Sequence, residues 1–106
     1  MVVDVDTTTE PPTVALDDPD NCTAFSVRVR GKRAGLAGAL ESSGVGRMDG
    51  DEALIGVDAV RRLAADRVGS SWDEDFAAML DYAEGKGWIA DEGRSIRAHV
   101  EEGKPT

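Results

Sequence analysis

The chain of 106 residues contains one cysteine, one histidine and few aromatic residues, namely two tryptophans, two phenylalanines and one tyrosine. One cysteine excludes an internal disulfide and a four-cysteine zinc site. One histidine, with no second histidine or cysteine near it in the sequence, is weak support for a metal centre. A chain of this length suits one domain with one modest core. We therefore expect a single small domain that carries no metal.

Long hydrophobic runs and an excess of basic residues are also missing. No run approaches the roughly 20 apolar residues that cross a bilayer, and the N-terminus lacks the pattern of a secretory signal. The net charge is −9: residues 1–20 hold six acids and no base, whereas the other 86 residues hold 15 acids and 12 bases. Because phosphate binding needs a basic surface, we expect a protein that does not bind nucleic acid. Because a signal and a long apolar run are missing, we expect it to be cytoplasmic and not to bind a membrane.

Catalytic motifs are scarce. The sequence has no GxSxG, no P-loop, no HExxH and no GxGxxG after a strand. Gly44-Val45-Gly46 is too short to cradle a phosphate and is typical of a turn. Cys22 has no identifiable activating base, and His99 alternates outward on a predicted strand. We therefore expect a protein that is not an enzyme and has no cofactor.

The clearest pattern in the sequence is a helical period that changes to a strand period. An apolar stripe at helical spacing consists of Phe76, Met79, Leu80 and Ala83. It predicts a helix over residues 71–84, and Ser71 with Glu74 is typical of a capping box at its start. Period-two alternation then predicts a hairpin over residues 88–100, with its turn at residues 91–94.

Periodicity elsewhere predicts the remaining elements. They are a strand at 25–30, a helix at 32–43, strands at 45–48 and 53–57 joined by a turn, and a helix at 58–68 capped by Asp58. The order is β-α-β-β-α-α-β-β. The sequence therefore predicts the α+β class, as a small mixed sandwich over residues 21–101 with its helices on one face of the sheet.

The two ends of the chain show little periodicity. Residues 1–20 combine threonines, prolines and acids, which predicts a flexible, disordered acidic tail. The apolar residues in this stretch leave open the alternative that it folds onto a partner. Residues 102–106 are polar, and we expect them to fray.

Two sets of side chains are candidates for surface contacts. Arg28 and Arg30 begin a basic cluster on the outward face of the first predicted strand, which is either a solvated sheet face or a docking patch for an acidic partner. Trp72 and Trp88 flank the long helix, and each either seals the edge of the core or contacts a partner. The sequence leaves both pairs of alternatives open.

Three stretches resemble the effector, or coupling, proteins of soluble diiron monooxygenases. Asp20-Asn21-Cys22 is similar to the Asn-containing start of that family's fold. Residues 53–63 are similar to its strand–helix junction, and residues 87–97 resemble its terminal hairpin with an acidic turn. The likeness covers about residues 20–100, and the size, the element order and the mobile acidic N-terminus add to it. The chain departs from the family in being shorter between residues 41 and 53.

The resemblance implies a protein with no cofactor of its own that is a monomer when free. Such a protein docks on the hydroxylase subunits near the diiron centre, where it tunes substrate and O₂ access and couples electron transfer. It can do so only by binding one conformation of its partner more tightly than another. The contact residues that this interpretation implies are the tail, Asn21, Arg28, Arg30, Trp72 and Trp88.

Two other interpretations are left open. A helix over residues 71–84 followed by a hairpin is also the layout of a winged helix-turn-helix. That helix carries five acids and no base, so it would repel a phosphate backbone and would instead suit protein contact. The other interpretation is a small interaction module of unassigned function that binds a protein or a small molecule.

Overall fold

The computed structural model describes residues 1–22, 24–65 and 67–102. The strands are β1 Val2–Asp6, β2 Thr13–Asp17, β3 Ser26–Arg30, β4 Gly46–Asp49, β5 Glu52–Gly56, β6 Ile89–Ala90 and β7 Ser95–Glu102. The α-helices are α1 Leu36–Ser42, α2 Val57–Ala64 and α3 Trp72–Gly85. Short 3₁₀ turns precede α1 and separate β6 from β7. In these described ranges, every helix is too short or too polar to cross a bilayer.

All seven strands belong to one mixed sheet with the order β2-β1-β3-β7-β5-β4. The β1–β3 and β3–β7 pairs are parallel, and the other pairs are antiparallel. β6 pairs with the first residues of β7, whereas β3 pairs with its last four residues, His99–Glu102. β7 therefore joins the two halves of the sheet.

The two faces of the sheet differ because successive side chains of a strand point to opposite sides. One face is apolar, and a buried row in register across four strands consists of Leu16, Val3, Val27 and Val100. The helices contribute apolar side chains to the same core, including Leu36, Leu40, Val60 and Phe76. We call the opposite face, which carries Asp4, Arg28, Glu52 and Arg97, the open face. The helices thus cover one face, and the predicted α+β class is confirmed.

The predicted order of elements covers only part of the observed one. From Ser26 onward, the strands and α-helices follow one another as β-α-β-β-α-α-β-β, but two further strands precede them. The prediction of a flexible tail over residues 1–20 is therefore corrected, because β1 and β2 form a hairpin on the sheet. At the other end, Glu102 is the last residue of β7, and the rest of the predicted frayed segment lies outside the described residues.

The predicted helix caps are also corrected. Ser71 directly precedes α3, but its φ of −85° and ψ of −5° are helical, and its side chain makes no capping hydrogen bond. A capping side chain normally needs an extended backbone at that position. Asp58 lies inside the first turn of α2, and Gly56 is the residue before that helix. The helix dipole favours acids in these first turns, and Asp58 also pairs with Arg61 at 3.6 Å.

Candidate functional site

The structure separates the five predicted contact residues into different regions of the molecule. Arg28 and Arg30 lie on the open face, and Asn21 lies in the loop between β2 and β3. Trp72 is in the core, whereas Trp88 is exposed just before β6. No single surface therefore contains all five.

Arg28 and Arg30 are neutralised within the molecule. The Nη2 atom of Arg28 lies 3.1 Å from Asp4 Oδ2 and 3.0 Å from Asp17 Oδ2, and Arg30 also pairs with Asp4 at 3.1 Å. Hydrogen bonds to Asp4 and Asp17 raise the pKa of Arg28 above its usual value. An acidic partner would have to displace acids that are already in place. These contacts favour the solvated sheet face over a docking patch.

Another set of ion pairs lies at the other end of the open face. Arg97 pairs with Asp49 at 2.7 Å and with Glu52 at 3.5 Å. Arg47 donates to both carboxylate oxygens of Asp91, at 2.8 and 3.1 Å. The Arg97 pairs join β7 to β4 and β5, and the Arg47 pair joins β4 to the turn between β6 and β7.

Trp72 belongs to the core. Its ring stacks on Phe76 with centroids 4.7 Å apart, and only 5% of the residue is exposed. Its Nε1–H donates to the carbonyl oxygen of Pro19 at 2.6 Å, so the indole also fixes the loop after β2. Of the two alternatives for Trp72, the structure shows the one in which it seals the core.

Trp88 and Tyr82 form an exposed aromatic pair. The pair meets edge to face with ring centroids 6.1 Å apart, and Trp88 is 43% exposed and Tyr82 61% exposed. The backbone of Trp88 is fixed, because its N–H donates to Ala83 and its carbonyl accepts from the N–H of Arg97. We call these two side chains the aromatic pair. Sequence reasoning missed Tyr82, although its place outside the apolar stripe of α3 was a signal of exposure.

An open groove of about 500 Å³ lies beside the aromatic pair, between α3 and the loop after β2. The residues that line this α3 groove are Asp20, Cys22, Asp75, Ala78, Met79 and Tyr82. Burial raises the pKa of the Cys22 thiol, and the nearby Asp75 and Asp20 act in the same direction. A raised pKa disfavours the thiolate, which is the nucleophilic form of a cysteine.

Asn21 shapes the loop wall of the α3 groove. Its carbonyl oxygen accepts a hydrogen bond from the Met1 ammonium group at 3.0 Å, and its N–H donates to the Asp18 carbonyl at 3.1 Å. The Asn21 side chain also donates to the Asp18 carboxylate at 3.4 Å. The contacts of Asn21 thus support the residues on either side of it that line the groove.

Comparison of the chain with protein-family models, curated proteins and solved structures gives no match. Over the part of the chain that the structure describes, no three histidine, cysteine, aspartate or glutamate side chains are grouped as a metal site requires. The function must therefore be inferred from the surface features described above.

Proposed function

We propose that the protein is a non-catalytic effector, or coupling, protein of a soluble diiron monooxygenase. In this role it docks on the hydroxylase subunits, tunes the access of substrate and O₂, and couples electron transfer to oxygen activation. The proposal makes it a cytoplasmic protein whose partner supplies the metal.

The observation that carries this proposal is the aromatic pair. Tryptophan and tyrosine are enriched among the residues that contribute most binding energy at protein interfaces. The backbone of Trp88 is held by hydrogen bonds on both sides, so this segment of the chain loses little further backbone entropy on binding. It also lies in the stretch that resembles the terminal hairpin of the effector family. An exposed tryptophan on a fixed backbone at that position is suited to docking.

Regulation by docking needs no catalytic group on this chain. A bound protein changes the chemistry of its partner when it prefers one partner conformation over another. A preference of about 1.4 kcal/mol for binding one partner conformation changes the ratio of the two conformations tenfold. In many complexes, truncating one interface tryptophan changes the free energy of binding by at least that much.

The first test is to identify the partner. The tagged full chain is used to capture proteins from its own host grown on an alkene or an aromatic carbon source, and the eluate is assayed for iron. We expect a stoichiometric, multi-subunit oxygenase that contains iron and whose turnover rises when the protein is added back.

The second test concerns the aromatic pair itself. We expect Trp88→Ala to weaken the apparent affinity for that oxygenase by about 30-fold or more, as loss of a hot-spot tryptophan does. Arg62→Ala, on the exposed surface of α2, is the matched control and should leave the affinity unchanged. If no iron protein is captured, and the turnover of purified oxygenase does not change when the protein is added, the proposal is wrong. An interaction module with another partner would then be the better account.

A further inference from the structure

We infer that the α3 groove is the docking site for a basic amphipathic helix of the partner. The inference rests on the proposed function in that the helix would belong to the oxygenase component. It goes further by naming the surface that receives the partner and the chemistry that this surface recognises.

The floor of the groove is apolar and continuous with the aromatic pair. Ala78, Met79 and Tyr82 lie on one side of α3, and Tyr82 contacts Trp88. Met79 is almost fully buried, whereas Tyr82 is largely exposed. A large apolar side chain from a partner could therefore rest on the floor and touch the rings of the pair.

The walls of the groove are acidic. Asp20 comes from the loop after β2 and Asp75 from α3, so the two carboxylates approach the groove from different elements. α3 carries five carboxylates and no cation between Trp72 and Gly85, all of which the structure describes. The first base after the helix is Lys86, whose ammonium group lies over the Tyr82 ring at 5.5 Å. Because surfaces of opposite charge attract and fix register, this groove selects a cationic partner.

The spacing of the groove residues along α3 determines where a bound helix would place its contacting side chains. Asp75 and Tyr82 are seven residues, or two helical turns, apart, which is about 10 Å along the axis at 1.5 Å per residue. A helix lying in the groove would present a lysine or arginine to Asp75 and a large apolar side chain to Tyr82 two turns away. This is the helix-in-groove mode, with contacts spaced at i, i+3, i+4 and i+7.

A second copy of this chain is a poorer fit to the groove. The chain has a net charge of −9, so two copies repel each other. On the open face, the half-buried Arg28 and the exposed Arg30 are already paired with acids. The charge distribution of the chain therefore favours a basic segment of another protein.

Defined peptides test the inference on the full chain. The probe is a synthetic amphipathic helix of about 15 residues, long enough to be partly helical, with leucines on one face and lysines on the other. Two control peptides replace all lysines by glutamate, or all leucines by serine. Binding is followed by amide chemical shifts in ¹H–¹⁵N NMR spectra and by tryptophan fluorescence.

We expect only the leucine–lysine peptide to bind, with shifts concentrated at residues 20–22, 75–82 and 88. Asp75→Lys should weaken its affinity roughly tenfold, since it reverses a charge in the groove. Glu84→Lys makes the same charge change on the same helix, at an exposed site that does not line the groove. It should change the affinity less than twofold. Tyr82→Ser, which removes the floor contact, is the second variant if Asp75→Lys does not fold.

Several results would overturn the inference. One is equal weakening by Asp75→Lys and Glu84→Lys, which would show attraction to net charge alone. Others are binding of the lysine–serine peptide as tight as that of the probe, shifts outside the groove, or a stable dimer in sedimentation that blocks the peptide.

The same variants separate this inference from the proposed function. If the wild-type chain binds and stimulates the oxygenase, and Asp75→Lys does so equally well, the groove inference fails and the proposed function stands. If the wild-type chain neither binds nor stimulates the oxygenase, but the leucine–lysine peptide binds as expected, the groove binds basic helices and the proposed function fails.

Discussion

Asp91 occupies the turn between β6 and β7, and its carboxylate accepts hydrogen bonds from Arg47 and from the Ser95 hydroxyl. These contacts lower its pKa from 3.8 to about 2, with the Arg47 hydrogen bond as the largest cause. Asp91 and Glu92 also have left-handed φ angles of 54° and 60°, which side chains other than glycine adopt at a cost of about 1–2 kcal/mol each. The side-chain contacts of Asp91 help to hold this strained turn.

The lowered pKa predicts how stability depends on pH. A carboxyl group whose pKa is lower in the folded state stabilises the fold above its unfolded pKa and loses that effect as the pH falls through its folded pKa. We expect Asp91→Asn to be less stable than the wild type above about pH 4, and the difference to shrink as the pH falls toward 2 and to be lost below it. Urea unfolding between those pH values measures it. A difference that does not change with pH would contradict this assignment.

Gly46 is a position where the backbone of β4 lies unusually close to that of β5. A Cβ atom at this residue would overlap the carbonyl oxygen of Leu54, which cannot move without breaking the sheet. We expect Gly46→Ala to lower the free energy of unfolding by roughly 1–3 kcal/mol, the usual cost of overpacking. The measurement is the urea midpoint at constant m-value.

Gly38 provides the matched control for this substitution. It lies inside α1, and a Cβ atom there meets nothing within 4 Å. Gly38→Ala should raise stability by up to about 1 kcal/mol, because alanine favours the helix. Equal effects of the two substitutions would show that close approach at Gly46 does not matter.

At the scale of whole elements, the hairpin of β1 and β2 is where the structure differs most from the sequence-based prediction. Val3, Val5 and Leu16 are almost completely buried on the apolar face. β1 pairs in parallel with β3 over five residues, and Arg67 donates to the Leu16 carbonyl from beyond α2. The hairpin is therefore part of the core and the sheet.

Leu16 allows a direct test of this placement. If β2 is part of the core, Leu16→Ala should destabilise the whole domain by about 2–4 kcal/mol, as other large-to-small core substitutions do. Thr13→Ala, at an exposed position on the same strand, should change stability by less than about 0.5 kcal/mol. A global unfolding curve unaffected by Leu16→Ala would show that residues 1–20 are a tail after all.

The difference between predictable and unpredictable elements is one of sequence distance. α3 and the β6–β7 hairpin were predicted because their periodicity and turn residues are local. In β1, Val3 and Val5 alternate with Asp4, but this signal was outweighed by the acids and prolines around it. The partner of Asp4 is Arg28, 24 residues away, and no local pattern reveals that pair.

The candidate site was predictable to a similar extent. Trp88 was identified from sequence as a candidate contact residue and is exposed. For Trp72 the sequence left open a core position or a surface position, and the structure shows the core position. Arg28 and Arg30 were correctly placed on an outward face, but their acidic partners come from β1 and β2. The α3 groove could not be predicted, because the loop that forms its second wall is distant in sequence from α3.

At the scale of the whole molecule, charge is distributed unevenly over the surface. The arginines of the open face are paired with acids, so that face is close to neutral locally. α3 carries carboxylates and no cation between Trp72 and Gly85. The surface formed by α3 therefore carries much of the net charge of −9. A field of one sign speeds the approach of a basic partner and orients it, and salt weakens both effects.

The central place of β7 has a consequence for biosynthesis. β7 lies between β3 and β5, so it closes the gap between the β2-β1-β3 group and the β5-β4 pair. Residues 95–102 are synthesised after every strand that they join. On the ribosome, where chains emerge from the N-terminus, the β2-β1-β3 group and the β5-β4 pair stay unjoined until β7 is made. Until then the edges of β3 and β5 that β7 covers have no partner, and such edges favour aggregation.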